Sequence, residues 1–399
     1  MNSKTSMTSS INMIVWNTFQ NDARVKNEAD TLAAGGYLVT VHALHAPGYT
    51  KSHEILPSGV EVVRHGSSQG LRLLKPREHA ASRGFLELLM LMLSRGVTHL
   101  SILFAVVLRR SAVVHAHDVN VLPTAWLAAR LSRAKLVYDA HEISTSREGY
   151  AGARTLVGML EKALMPKADG TITTTEARSK FFARAYGINR PLVLQNRPRE
   201  QVVQASERIR RELGLTEVWP IVLYQGGVQP GRGLERLVRV AAQVPSAYFV
   251  FIGGGGLDLS LRHIAHELQL EERVRFIPTV ALAELASYTA SADIGVQPIE
   301  NTCLNHYTTD SNKLFEYVQA GLPVIASDLP EIRRIVRQHD LGLLVPAGDS
   351  EALISALRRM VDEVALRQYH AARAHAAAHA LSWEKQEHQL LALYRQILD

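Results

Sequence analysis

Short apolar runs rich in β-branched residues alternate with longer helical patterns along the chain. In the first half these runs predict strands at residues 12–16, 38–44, 60–64, 112–116, 135–140, 171–174 and 192–195. Several are continuously apolar, which is typical of strands buried on both faces of a parallel sheet. Residues 24–34 predict a helix that Asn21 or Asp22 caps and Gly35 ends.

The alternation starts again after Asn196. Its apolar runs predict strands at residues 221–225, 248–252, 274–277, 294–297, 324–326 and 343–345. This pattern predicts an α/β fold with helices packed on parallel sheets. Two series of similar size predict two doubly wound domains, and the Pro-containing connector at residues 196–203 is short enough to act as a hinge.

Residues 85–108 are the one stretch that resembles a membrane span. Glu87, Arg95 and His99 interrupt it, whereas a spanning helix needs about 20 mostly apolar residues. We therefore predict two short, largely buried helices that meet near Gly96. The first apolar run, at residues 11–16, is too short for the core of a signal peptide, so secretion is not expected.

Composition narrows the class of protein. Hydrophobic residues make up 47% and charged residues 21% of the 399 positions, which is typical of soluble globular proteins. The excess of 44 Lys and Arg over 38 Asp and Glu is too mild and too dispersed to indicate a nucleic-acid partner. Cys303 is the single cysteine, which excludes an intrachain disulfide and favours a cytoplasmic, reducing location.

Two glycine-rich loops follow strands of the second series, where α/β sheets bind ligands. Gly226 and Gly227 open the first loop, and Arg232 near its end offers a charged fork to a phosphate. A flexible turn with a solvated arginine explains this loop equally well. Gly254 lies in the run 253–256, where backbone must pass close to a ligand or to the facing domain.

A third loop leads into a predicted helix that Ser311 or Asp310 caps and that runs to residue 320. Its polar residues are Asn305, Asn312, Lys313 and Glu316. An anion at the helix start would meet the lysine and the helix dipole, while the glutamate could accept hydrogen bonds from ribose. The alternative is a solvated surface helix, but polar clustering before an apolar helix end favours a site.

Polar residues also end two adjacent strands of the first series. They are His115, His117, Asp118, His141 and Glu142. Polar groups at neighbouring strand ends predict a substrate site, with His117 as the functional histidine and His115 in the core. A metal is not predicted, because spacing along the strand should separate the two rings and no further ligand is specified.

These segments together resemble the GT-B glycosyltransferases, specifically family 4 of the retaining nucleotide-sugar enzymes. The resemblance covers nearly the whole chain and rests on residues 21–25, Glu28, 114–118, 137–142, 224–227, 231–233, 312–317 and 321–324. It implies two Rossmann-like domains that face each other across a cleft. The first, at residues 1–198, would bind the acceptor, and the second, at 199–380, the nucleotide sugar. A C-terminal helix at 381–399 would cross back to the first.

The resemblance also implies residue roles. Arg232 matches the position that holds the donor diphosphate, Glu316 the one that binds ribose, and His117 the histidine that faces the transferred sugar. Acceptor-side positions would be Asn21, Asp22, Arg24, Asp118, His141 and Glu142. Two positions depart from the pattern. Thr308 replaces a glutamate that usually touches the hexose, a role open to Asn305, Glu300 or Tyr307. Gly227 replaces an arginine, which leaves Arg232 and Lys313 to neutralise the diphosphate.

The implied activity is retaining transfer of a sugar from a UDP- or GDP-sugar to a glycan or polyprenyl-linked acceptor in surface polysaccharide biosynthesis. The nucleotide sugar would be a co-substrate, with no obligatory cofactor or metal. Alternatives are a nucleotide-sugar 2-epimerase and a non-catalytic, two-domain sugar- or nucleotide-binding protein.

Residues 72–95 predict a further contact, with an anionic membrane surface. Basic side chains flank the apolar residues 85–93, namely Arg72, Lys75, Arg77, Arg83 and Arg95. Basic groups beside an apolar helix can bind anionic lipid headgroups, so we expect a cytoplasmic protein that is peripheral on the inner face of the membrane. The alternative is a buried helix beside a solvated loop.

Overall fold

The computed structural model describes residues 9–66, 85–147, 154–201 and 203–399. The chain divides into two compact units. The first comprises Met1–Leu194 together with Gln386–Asp399, and the second is Gln195–Lys385. The C-terminal segment thus belongs to the first unit, and the chain enters the second just before the predicted connector.

Among the described residues, the first unit has one sheet of eight strands in the order β3-β4-β2-β1-β5-β6-β7-β8. The strands are β1 (Ser10–Ile14), β2 (Leu38–Leu44), β3 (His53–Ile55), β4 (Glu61–His65), β5 (Val113–His117), β6 (Lys135–Ala140), β7 (Gly170–Thr173) and β8 (Leu192–Val193). Neighbouring strands are parallel except for β3 and β4. Sequence patterns predicted every strand but β3, which is too short to show a periodicity.

The first unit's helices cover the faces of this sheet. Among the described residues, those that come before the second unit in the chain are α1 (Ala23–Ala34), α2 (Phe85–Arg109), α3 (Leu122–Ser132), α4 (Arg154–Leu164) and α5 (Glu176–Tyr186). Asp22 caps α1 by accepting a hydrogen bond from the backbone N–H of Val25 at 3.1 Å, and Gly35 is the C-cap. Both ends of this helix agree with the prediction.

The prediction of two short, buried helices at residues 85–108 was wrong. The segment is the single helix α2, with Gly96 near its middle. One glycine costs a helix about 1 kcal/mol relative to alanine, which the strong helix formers on both sides outweigh. The helix is also largely exposed. Its segment Leu89–Arg109 is long and apolar enough to cross a membrane, with a mean hydropathy of 1.8, yet only 28% of it is buried.

The second unit has a wholly parallel sheet, which among the described residues has six strands in the order β11-β10-β9-β12-β13-β14. The strands are β9 (Ile221–Gln225), β10 (Tyr248–Ile252), β11 (Val274–Ile277), β12 (Ile294–Gln297), β13 (Val324–Ser327) and β14 (Gly342–Val345). Four match their predicted bounds, and the last two are each one residue longer. Along β10, Phe249 and Phe251 pack in one apolar cluster and Tyr248 and Val250 in another, because helices cover both faces.

The helices of the second unit follow the strands in alternation. They are α6 (Arg208–Leu213), α7 (Leu234–Ala241), α8 (Asp258–Glu267), α9 (Leu282–Thr289), α10 (Leu304–Tyr307), α11 (Asn312–Gln319), α12 (Pro330–His339), α13 (Ser350–Asp362) and α14 (Val364–Ala378). The alternation places the starts of α7 and α11 after the loops that the sequence singled out.

The chain end is not one continuous helix over the predicted range 381–399. A 3-10 turn at Trp383–Lys385 precedes helix α15 (Glu387–Leu398). Helix α15 packs on α1 in the first unit, where the hydroxyl of Thr31 donates a hydrogen bond to the carboxylate of Glu387 at 3.1 Å. The last helix therefore contributes side chains to the core of the first unit.

Candidate functional site

The two glycine-rich loops of the second unit pack tightly against each other. A Cβ atom on Gly253 would lie 2.0 Å from the carbonyl oxygen of Gly226, and one on Gly255 would lie 2.1 Å from that of Val228. Gly226 has φ 121° and Gly253 has φ 140°, conformations that favour glycine. Within the second unit, the close neighbour of the run 253–256 is thus the other glycine-rich loop. Donor binding by Gly254 and Gly227 stays a prediction.

Lys313 lies beside this loop in the first turn of α11. Its ammonium donates to the Ser311 hydroxyl at 3.2 Å and lies 5.0 Å from the centre of the Tyr224 ring. A Cβ atom on Gly226 would lie 3.6 Å from the Lys313 Nζ atom. Burial, followed by the nearby charge of Arg232, lowers the pKa of Lys313 to about 7, although Glu316 opposes the shift. The lysine therefore lacks sufficient compensating charge and is only partly protonated at neutral pH.

The glycines on either side of Arg232 let its loop pack closely against neighbouring residues. A Cβ atom on Gly231 would lie 2.3 Å from the ring of His306, and one on Gly233 would lie 2.0 Å from the carbonyl oxygen of Pro298. Within the described part of the chain, Arg232 donates no hydrogen bond and forms no ion pair. Two cations, Arg232 and Lys313, thus lie close together and can bind an anion.

Glu316 lies one turn further along α11, as predicted, and a polar chain fixes its orientation. The side-chain amide of Gln225 donates to the Glu316 carboxylate at 2.5 Å, and the Thr289 hydroxyl donates to Gln225 at 2.8 Å. Burial raises the pKa of Glu316, although Gln225 and Lys313 counteract it. Sequence reasoning missed Gln225 and Thr289. The signal for Gln225 was a polar residue at the end of an otherwise apolar strand.

Of the two residues predicted to cap α11, Ser311 lies at the cap position without capping the helix. Ser311 occupies the N-cap position with φ 58°, but its side chain makes no capping hydrogen bond. Asp310 instead accepts a hydrogen bond from Gln195 at 2.7 Å. Asn312, at the helix start, is exposed.

Thr308 takes the place of the family's hexose-contacting glutamate, and the side chains around it differ in whether they are free to contact a sugar. Thr308 and Asn305 are buried, and the Thr308 hydroxyl donates to the Leu304 carbonyl at 2.8 Å. Glu300 forms an ion pair with Arg236 at 2.6 Å. Of the three substitutes considered for contact with the hexose, Glu300 is thus held in an ion pair, whereas the Tyr307 side chain is 44% exposed.

In the first unit, Asp139 at the end of β6 is the centre of a buried polar network. It accepts two hydrogen bonds from Arg24 at 2.7 Å each, and its carboxylate lies 2.9 Å from His141 Nε2. Arg24 also donates to the Leu194 carbonyl at 2.6 Å and is itself 2% exposed. Arg24 was predicted to face the acceptor. Its buried guanidinium holds the strand ends together, and its acceptor-side role stays a prediction.

The two histidines beside Asp139 differ in protonation. Burial lowers the pKa of His117, so its ring is neutral at neutral pH. Burial also opposes the charged form of His141, but Asp139 and Asp118 outweigh it and raise the pKa of His141 to about 9. Among the described residues, the Nε2 atom of His117 has no hydrogen-bond partner. His117 thus keeps one free polar atom at the end of β5.

The prediction that spacing along β5 separates His115 from His117 was wrong. Their ring centres lie 4.1 Å apart, because residues two apart in a strand share one face. The Tyr394 hydroxyl of α15 lies 2.8 Å from His115 Nδ1, and Glu28 lies 3.8 Å from His115 Nε2. Sequence reasoning missed the tyrosine, which comes from the far end of the chain.

Glu28, His115, His117 and Asp139 each offer one ligand atom within 4.8 Å of the others, which is the geometry of a candidate metal site. Their charges do not fit a divalent cation. Glu28 lies 3.3 Å from the guanidinium of Arg24, and burial and the neighbouring Asp139 raise the pKa of the glutamate well above its usual value. Asp139 is already neutralised by Arg24. We assign a polar network to this cluster and no metal.

The remaining acceptor-side residues surround the loops after β5 and β6. Arg147 forms an ion pair with Asp118 at 2.8 Å and lies 3.5 Å from Glu142. Asn21 is exposed, and Asp22 serves as the cap of α1. The structure therefore brings together His117, His141 and Asp118, and Arg147 connects Asp118 to Glu142.

Two family descriptions match the chain, "Glycosyl transferase 4-like domain" over residues 22–198 and "Glycosyl transferases group 1" over residues 219–363. A D-inositol 3-phosphate glycosyltransferase of Corynebacterium glutamicum is 26% identical over 307 residues, which cover 71% of each chain.

Solved structures share the fold. Sucrose-phosphate synthase of Thermosynechococcus elongatus aligns with a TM-score of 0.79 and 20% identity, over 98% of this chain and 99% of the other. Anabaena Alr3699/HepE in complex with UDP-glucose aligns with a TM-score of 0.75 and 17% identity, over 97% and 100%. The chain belongs to the GT-B glycosyltransferases of family 4, and it is an enzyme of the transferase class, as its motifs predicted.

Proposed function

We propose that this glycosyltransferase transfers a sugar, with retention, from a UDP- or GDP-sugar to a glycan or polyprenyl-linked acceptor in surface polysaccharide biosynthesis. The observation that carries the proposal is the pair of cations, Arg232 and Lys313, beside the carboxyl end of β9. Two positive charges with little compensation match a diphosphate bridge. The proposed location is the cytoplasm.

The donor would bind chiefly to the second unit. Arg232 and Lys313 would neutralise the diphosphate, and Glu316, held by Gln225 at 2.5 Å, would accept hydrogen bonds from ribose hydroxyls. The complex of Anabaena Alr3699/HepE with UDP-glucose, which has the same fold, supports a uridine donor. A guanosine donor is the alternative, and a binding screen distinguishes it from a uridine donor.

In the proposed reaction, the bond between the anomeric carbon and the diphosphate oxygen breaks, and the acceptor oxygen bonds to that carbon on the same face. The transition state resembles an oxocarbenium ion, so the protein's main task is to stabilise the leaving diphosphate. The leaving phosphate oxygen takes the acceptor proton, so no side chain is assigned as general base. His117, being neutral, would orient the transferred sugar through its free Nε2 atom.

Thermal-shift screening against UDP, GDP, ADP and their sugars tests the donor assignment, because a ligand that binds the folded state raises its unfolding temperature. We expect a uridine or guanosine compound to give the largest shift. R232A and E316A should reduce that shift, whereas R239A, which alters an exposed arginine on α7, should not. Equal shifts in all variants would contradict the site.

The rival activities need separate assays. Incubation with UDP-GlcNAc alone, followed by NMR, reveals a 2-epimerase if a second epimer forms. Nucleotide release that depends on an added acceptor supports the transferase. Saturable donor binding with no turnover under any acceptor would favour a non-catalytic binding protein.

A further inference from the structure

The outer face of helix α2 is an exposed apolar stripe. Its described members are Leu86, Met90, Leu93, Val97, Leu100, Phe104 and Leu108, each between 52% and 80% exposed. Spacings of three and four residues place them on one side of the helix. At 1.5 Å per residue the stripe is about 33 Å long. A surface helix normally presents polar residues on this side.

The inner face of α2 is fixed to the first unit. Thr98, Ile102 and Val106 are buried, and the His99 ring stacks on Trp16 with ring centres 4.1 Å apart. At the helix end, Arg109 donates to the carboxylate of Glu61, at 2.9 Å for the longer bond. These contacts hold α2 along the sheet. The helix can thus lie in the plane of a membrane but not cross it without unpacking the unit.

Two neighbouring helices extend the apolar surface. Helix α2 packs on α3, and α3 packs on α4. Leu127 and Leu131 on α3 are 39% and 60% exposed, and Leu156 and Met159 on α4 are 60% and 64% exposed. Right-handed crossovers place the three helices on one face of the sheet. Contiguous exposed apolar surface of this extent marks an interaction site.

Charged residues on the same helices identify the partner. Exposed basic side chains are Arg110 after α2, Arg130 on α3, and Arg154 and Lys162 on α4. Among the described residues of these helices, the acidic groups are Glu87, which is half-buried, and Glu161, which is buried. An apolar stripe with basic neighbours fits an anionic lipid surface, where headgroups meet the arginines. A second copy of the chain would instead bring like charges together.

We propose that the outer face of α2, together with the exposed parts of α3 and α4, docks in the plane of an anionic lipid bilayer. This rests on the proposed function only in that a polyprenyl-linked acceptor gives the docking a purpose. It extends the predicted contact at residues 72–95 along the whole helix to residue 108. Arg72, Lys75, Arg77 and Arg83 lie outside the described residues, so the proposal stands without them.

Co-sedimentation of the full chain with vesicles tests the docking, without donor or acceptor present. We expect binding to phosphatidylcholine vesicles that contain phosphatidylglycerol, weaker binding without it, and weaker binding at high salt. The variant L93S/L100S/F104S should lower the vesicle partition coefficient by more than about tenfold, because three large apolar groups no longer enter the lipid. The matched control V218S/L259S/V364S alters exposed apolar residues of the second unit and should bind like wild type.

Several outcomes would overturn the proposal. They are a wild-type chain that ignores every vesicle, a triple variant that binds as well as wild type, and a wild-type dimer that the triple variant dissociates in light scattering. The last result would assign the surface to a second copy. A UDP thermal shift on the same variants reports donor binding separately. Docking without nucleotide binding would refute the proposed function alone, and nucleotide binding without docking would refute this inference alone.

Discussion

The charged side chains at the carboxyl ends of the strands compensate one another in the first unit but not in the second. In the first unit, Asp139, Arg24 and His141 form a buried network in which the charges compensate one another. In the second unit, Arg232 and Lys313 lie close together, and burial and mutual repulsion lower the pKa of the lysine to about 7. Where the charges already pair with one another, they fix the positions of the strand ends. Where the positive charges are incompletely paired, an anionic ligand can bind by supplying the missing negative charge.

The largest expected effect is on the stability of the first unit. D139N should lower its free energy of unfolding by about 3–5 kcal/mol, because Arg24 would lose both hydrogen bonds to the Asp139 carboxylate and keep only Glu28, at 3.3 Å, as a buried counter-charge. Urea denaturation of the full chain, followed with a probe in the first unit, measures this. D118N breaks a partly exposed pair and should cost about 1 kcal/mol or less. Equal effects of the two variants would mean that the buried network is not a special source of stability.

The second unit should respond in affinity more than in stability. R232A should weaken binding of UDP-glucose about tenfold to a hundredfold, since a charge-assisted hydrogen bond is worth about 1.5–3 kcal/mol. Its melting temperature without ligand should stay close to that of wild type. R239A is the matched control for loss of positive charge. A large loss of stability with unchanged affinity would mean that Arg232, like Arg24, stabilises the fold and does not bind the donor.

A pH titration sharpens the contrast. The Lys313 side chain binds a diphosphate only when it is protonated, and its pKa in the free enzyme is about 7. Affinity for UDP-glucose, whose diphosphate does not titrate between pH 6 and 8, should therefore fall as pH rises across about that range. K313R keeps its charge throughout and should give a flat profile. A flat wild-type profile would contradict the assigned pKa shift.

The smallest effect concerns the last helix. Y394F removes the hydroxyl that lies 2.8 Å from His115 in the buried network. We expect a loss of about 0.5–1.5 kcal/mol in the free energy of unfolding, measured by chemical denaturation. Y369F removes an exposed hydroxyl bonded to Asp340 and should change stability little. No difference between the two variants would mean that α15 contributes through its apolar packing alone.

Local patterns predicted most of the fold because buried parallel strands are continuously apolar and caps lie next to their helices. The pairings of Gln225 with Glu316 and of Tyr394 with His115 were not predictable, since they join residues 91 and 279 positions apart. The sequence shows that α2 is apolar but not what covers it, so its exposure was missed. The tight contact of the two glycine-rich loops likewise depends on the order of β9 and β10 in the sheet.

Calorimetric titration of UDP-glucose at pH 7, in two buffers of different ionisation enthalpy, tests the central claim most directly. A site with incompletely paired cations predicts saturable binding with net proton uptake, because the diphosphate raises the pKa of Lys313 from about 7. K313R should bind without proton uptake, and R232A should bind more weakly. Binding without proton uptake by wild type, at an affinity that R232A shares, would contradict the account.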